Sequence, residues 1–198
     1  MARKSKGIAL KKRTIIFCEG ETEQYYFEML KRKYNAKSVE PQCVKTQVGA
    51  CSAVQLVNYA VAYTSRKKFD SIYVIYDRDD LKDEQVIDAL KLAKENGIIT
   101  IYSNVCFELW VLLHYVTVNS YMNRKELYGK LKECMKLDCS YRSIKGEKVS
   151  DYLFDLVATA LNNANQLSND SNTAKNINCN PYTNIHHYIK DIFQVDRY

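Results

Sequence analysis

Ser71-Ile72-Tyr73-Val74-Ile75-Tyr76-Asp77-Arg78-Asp79-Asp80 is the stretch on which the fold turns. Its first six residues form a continuous β-branched and aromatic run, the pattern of a strand buried on both faces at the centre of a parallel sheet. Acids follow at once. Upstream, Arg13 to Cys18 repeats the arrangement: a buried strand, then Cys18-Glu19-Gly20-Glu21-Thr22-Glu23. Carboxylates are costly to bury unless they are paired or bind a cation. Two acidic sets at the ends of adjacent parallel strands would face each other across the crevice where open α/β sheets bind ligands. Such a crevice suits Mg²⁺ or Mn²⁺, and hence work on phosphate esters.

Working outward, Thr22 to Lys33 reads as a helix with Tyr25, Tyr26, Met29 and Leu30 on one stripe. Val39 to Gln47 reads as a second strand. Ser52 caps a helix over Ala53 to Lys67, with Val54, Val57, Val61 and Leu56 marking the inward face. Lys82 to Asn96 is a helix stopped by Gly97, and Ile98 to Tyr102 a further strand. The order β-α-β-α-β-α-β predicts an α/β fold with a parallel sheet of about four strands. The apolar run Cys106 to His114 packs on the sheet. Helices follow over Arg124 to Met135, Val149 to Leu167 and Asn184 to Val195, with Ser168 to Asn180 as a loop. The expected organisation is a basic tail over 1–12 and a single domain over 13–198, whose part from about 120 onward is a helical cap.

The bulk numbers narrow the class. The chain has 198 residues, 46% hydrophobic and 26% charged, ordinary for a soluble globular protein. No apolar run is long enough to span a bilayer, and the N-terminus lacks a signal-peptide pattern. The seven scattered cysteines include no Cys-x-x-Cys pair. That argues against a disulfide framework or zinc ribbon and for a reducing cytoplasm. The net charge of +6 is matched by Arg3, Lys4, Lys6, Lys11, Lys12 and Arg13, with no acid among residues 1–13. A basic arm suits nucleic-acid phosphates, and equally a solubilising leader. No G-x-x-x-x-G-K-S/T, no G-x-G-x-x-G after a strand and no serine elbow occurs, so ATPase, dinucleotide and serine-hydrolase readings lack their motifs.

Each acidic position has a functional and a plain explanation. Glu19 lies at a strand end and Gly20 allows a tight turn. Glu23 is one helical turn on, toward the same side. Helix-dipole decoration accounts for Glu21 and Glu23, and less well for Glu19. Asp77 and Asp79 share a face if the strand end is extended. They reach one metal or serve one of two each, with Asp80 beside them; the plain alternative is an acidic turn. Lys145 is a candidate cation for a phosphorane-like transition state, with Arg78 and Arg142 as alternatives, and solvated loop charges explain all three equally. His114 reads as a core hydrogen-bonding residue, and of His186 and His187 only one can face inward. The 16 tyrosines read mostly as packing residues, not as base-stacking platforms.

Three segments together resemble the RloB family: C-E-G-E-T-E-x-x-Y-F from Cys18, V-I-Y-D-R-D-D from Val74, and S-N-V-C-F-E-L-W-V-L-L-H-Y from Ser103. The resemblance runs from about Arg13 to the end and includes Asn180-Pro181-Tyr182-Thr183-Asn184. Val105 stands where Pro is expected, a local turn difference. The resemblance implies a Toprim-like (Rossmann-like) core with Glu19, Asp77 and Asp79 as the metal-binding acids, and Glu23 similar to a second acid of the OLD-like branch. It also favours a site role for Glu108, a carboxylate inside an apolar helix, and turns Asn104 toward the same crevice.

The reading is therefore a cytoplasmic Mg²⁺- or Mn²⁺-dependent nuclease. Glu19, Asp77, Asp79 and Asp80 hold metal, and Glu23, Glu108 and Lys145 are accessory catalytic groups. By resemblance its setting is phage defence by abortive infection, beside an OLD-like or AAA ATPase partner, with nucleic acid as substrate, no membrane and homo-oligomerisation left open. The alternative is a non-catalytic metal- or nucleotide-binding module that acts through a partner. A receiver-like phosphohydrolase fits less well, because its Asp and Lys cannot be placed.

Overall fold

The computed structural model describes residues 12–45, 52–78, 81–169 and 178–196. The basic tail before Lys12, the end of the second strand expected to reach Gln47, most of the Asn/Ser-rich loop, and Asp79 and Asp80 lie outside the described residues.

The elements run β1 (Thr14–Cys18), α1 (Glu21–Lys33), β2 (Val39–Cys43), α2 (Ala53–Thr64), β3 (Ser71–Asp77), α3 (Asp83–Glu95), β4 (Ile99–Asn104), α4 (Glu108–Leu113), α5 (Arg124–Cys134), α6 (Glu147–Leu153), α7 (Val157–Asn169), β5 (Tyr182–Thr183) and α8 (Ile185–Phe193). The sheet order is β2-β1-β3-β4-β5. The first four strands are parallel, as expected for an α/β fold with a parallel sheet of about four strands, and β5 is antiparallel to β4. The chain steps from β1 to one side and then returns to add β3 on the other. The crevice at the ends of β1 and β3 is thus the point where the winding reverses.

Strand alternation sorts the side chains into two cores. Ile16, Cys18, Tyr73, Ile75 and Ile101 face α1 and the C-terminal helices. Ile15, Phe17, Val74, Tyr76 and Tyr102 face α2 and α3. Asp77 continues the parity of Tyr73 and Ile75, so it projects toward the side on which α4 packs. The run from Leu109 to Leu113 is fully buried there, because an apolar helix with no polar face has to be enclosed.

Two elements differ from the sequence expectation. The fifth strand arises because Asn184 copies a strand neighbour. Its N–H donates to Tyr102 O, its Oδ1 accepts from Tyr102 N–H at 2.9 Å, and its Nδ2 donates to Thr100 O at 3.1 Å. The single helix expected over Val149 to Leu167 is two. Leu156 N–H turns back to Leu153 O, and Lys33 Nζ captures the Phe154 carbonyl at 2.8 Å, which interrupts the helical ladder between α6 and α7.

Candidate metal centre

The site starts from the ends of β1 and β3. Glu19 N–H donates to Ile75 O, which holds it against β3. Its carboxylate Oε2 accepts the Asp77 N–H at 3.2 Å. Asp77 Oδ1 in turn accepts the Phe107 N–H at 2.8 Å, just before α4. Each acid is therefore fixed by the backbone of the next element through one carboxylate oxygen.

Glu23 joins them from the first turn of α1, where it is buried. A Cβ at position 20 would lie 2.5 Å from Glu23 Oε2 and 3.2 Å from its Cδ. Gly20 itself has φ −125° and ψ 165°, ordinary extended backbone. The sequence argument that Gly20 serves a tight turn is thus corrected: glycine is needed for space, so that the Glu23 carboxylate can lie against the chain.

Glu108 is 0% exposed at the start of α4. Lys145 Nζ lies 2.8 Å from its Oε1, while its Oε2 has no hydrogen-bond partner among the described residues. Lys145 also donates to Tyr128 Oη at 3.3 Å. It is delivered by a one-turn 3-10 helix at Tyr141–Ser143 and by Gly146, whose φ of 102° reverses the chain before α6. Oxygens of Asp77 and Glu108 and the sulfur of Cys106 lie within 4.8 Å of one another.

Four carboxylates converging on two nearby cations leave excess negative charge. Burial raises the pKa of Glu19 despite the Asp77 N–H, Arg124 and Lys145. Burial, with the charges of Glu108 and Glu19 added, lifts Glu23 to about 7. Asp77 is raised well above the usual range by burial and then by Glu23, Glu108 and Glu19. Lys145 is displaced upward: burial opposes its charge, and Glu108 and Tyr128 outweigh that. Buried acids that repel one another, one with an orphaned oxygen, fit a divalent cation as the missing charge.

The structure brings Glu19, Glu23, Asp77, Glu108 and Lys145 into one crevice. Among the described residues, the other candidates are engaged elsewhere. Arg78 is turned away, bonded to Leu81 O and Asp83 and at 2.8 Å to Asn178 Oδ1. Arg142 stacks over Tyr128 from an exposed position. Asn104 donates to Cys179 O at 2.7 Å, away from the acids. His114 is a core residue, with Nδ1 donating to Trp110 O and Nε2 accepting from Tyr26 Oη, and burial lowers its pKa to about 4. His186 is buried and His187 exposed.

Sequence reasoning missed Cys106, Arg124 and Tyr141. Cys106 could have been found two positions before Glu108. Arg124, which counters the charge of Glu19, and Tyr141, buried near Glu108, come from distant segments with no local signal.

The family model for RloB-like proteins matches residues 14–192. The chain belongs to the RloB-like family. Comparison with curated proteins gives no match. Among solved structures, the C-terminal region of the Burkholderia pseudomallei OLD protein is similar at 13% identity, with a TM-score of 0.38 over 80% of this chain and 100% of that one. That likeness is too distant to bear on the site. No helix among the described residues of this RloB-like chain is long and apolar enough to cross a membrane.

Proposed function

We propose that this RloB-like chain is a Mg²⁺- or Mn²⁺-dependent phosphodiesterase acting on nucleic acid in the cytoplasm, in phage defence beside an OLD-like ATPase. The observation that carries the reading is the convergence of Glu19, Glu23, Asp77 and Glu108, four acids with Lys145 and Arg124 as the nearby cations, where the sheet winding reverses. Glu19, Asp77 and Glu108 would hold the ion. Asp79 and Asp80 join them on the family resemblance and the sequence alone. A divalent ion there offsets phosphate charge and activates water.

The chain's own groups supply the rest. Glu23, with a pKa near 7, suits proton transfer at neutral pH. Lys145, charged and half-exposed beside Glu108, offers a donor to a phosphate oxygen as charge builds on it. The backbone ties on Glu19 and Asp77 keep the acids oriented without reorganisation. The basic tail would add affinity for the polymer.

The test incubates the purified chain, alone and with its ATPase partner, with single- and double-stranded DNA, RNA and Mn²⁺. Metal-dependent cleavage is expected, and Asp77→Ala or Glu19→Ala should abolish it with the fold intact. Undiminished cleavage by either variant overturns the assignment. No cleavage with or without the partner turns the reading to a binding module.

A further inference from the structure

Cys106 is the group in this crevice that a magnesium enzyme does not need. Mg²⁺ takes oxygen ligands, whereas thiolates select zinc and other soft or borderline ions. A buried free cysteine is ordinarily a small hydrophobe among apolar neighbours. This one is 0% exposed and yet has two carboxylates at its sulfur. The sulfur therefore lies beside the Asp77 and Glu108 carboxylates, at the rim of the cation position. The ligand atoms of one tetrahedral ion, with bonds of about 2.0–2.3 Å, lie roughly 3.3–3.8 Å apart. The Asp77, Glu108 and Cys106 atoms, all within 4.8 Å of one another, reach that spacing by side-chain shifts of about 1 Å. The orphaned Glu108 Oε2 is a second, independent sign that a ligand belongs there.

We propose that Asp77, Cys106 and Glu108 form a mixed oxygen–sulfur site that takes Zn²⁺ in preference to Mg²⁺, so that zinc captures the hydrolytic centre and holds it inactive. This inference rests on the metal reading of the same crevice. On binding, the thiol proton passes to solvent and the ion replaces it between the sulfur and the carboxylates. The three ligands fix the ion through Asp77 and Glu108, both needed for the hydrolytic arrangement, so occupation by zinc and turnover with magnesium exclude each other.

The experiment titrates Cd²⁺, a spectroscopic stand-in for zinc, into the full metal-free chain and follows thiolate-to-cadmium absorption in the ultraviolet. Mn²⁺ binding is followed separately by electron paramagnetic resonance. The expected result is an absorption band that saturates at one equivalent and is lost in Cys106→Ser. That variant keeps its Mn²⁺ binding but loses zinc affinity at least about tenfold, the scale of removing a partner from a metal site. No band, or a band undiminished in Cys106→Ser, overturns the proposal. If Cys106→Ser does not fold, X-ray absorption of the zinc-loaded wild-type chain decides. One zinc–sulfur distance of about 2.3 Å among lighter ligands supports the site, and an all-oxygen shell overturns it. A Cys106-dependent band in a protein that binds no Mn²⁺ would support the thiophilic site and count against the hydrolytic reading, so the two can fail separately.

Discussion

Glu23 shows most clearly how a residue's surroundings set its chemistry. Its carboxylate lies against Gly20, buried and within the field of Glu108 and Glu19, and its pKa rises from 4.5 to about 7. The folded, metal-free protein holds a proton that the unfolded chain has already released above about pH 4.5. The corresponding stability is present below that pH and is lost as pH rises through about 7. Glu23→Gln should therefore raise the melting temperature of the metal-free protein clearly at pH 8, with the gain shrinking toward pH 5. Thermal denaturation in chelator at the two pH values checks this, and the comparison cancels the opposing contributions of His114 and His186, whose pKa values burial lowers. Gly20→Ala places a methyl 2.5 Å from Glu23 Oε2 and should cost about 1–3 kcal/mol by overpacking. In a Glu23→Ala background most of that penalty should vanish, a coupling that a double-mutant cycle in urea measures.

At the scale of elements, the strand ends did the positioning, and they were legible. The β-branched run of β3 and the shorter one of β1 announced a parallel pair, and the acids after each followed. Asp77 reaches the crevice because it keeps the parity of Tyr73 and Ile75. What could not be read was non-local. β5 exists because Asn184 supplies side-chain bonds to β4, and two residues of Tyr182–Thr183 carry no strand signal of their own. The break between α6 and α7 depends on Lys33, far away in α1. Asn184→Ala leaves the Tyr102 N–H and Thr100 O without these partners and should cost about 1–3 kcal/mol, read as a lowered urea midpoint with an unchanged slope. In the sequence Lys145 is the candidate cation, with Arg78 and Arg142 as alternatives that the sequence alone does not separate from it. Its choice over Arg78 and Arg142 is decided by the 3-10 turn and Gly146, which set it beside Glu108.

Across the whole molecule, the sheet order places β1 beside β3 and so brings acids that are 58 residues apart into one hydrogen-bonded pair. The helices of the C-terminal half cover one face of the sheet and contribute Glu108, Lys145, Arg124 and Tyr141, so the crevice is completed from both halves of the chain. Two open grooves of about 530 Å³ each, one by Phe69 and Ile98 and one by Tyr73 and Gln194, lie toward the N-terminal ends of the strands. They contain none of the converging acids, which lie at the opposite end, where open sheets do their chemistry. The account stands on that acidic crevice being a divalent-cation site. Mn²⁺ binding to the metal-free chain, measured by calorimetry at pH 7.5 for wild type and Asp77→Asn, tests it most directly. Saturable binding by wild type, weakened at least about tenfold in Asp77→Asn, is the predicted result. No binding by wild type, or equal binding by the variant, would contradict it.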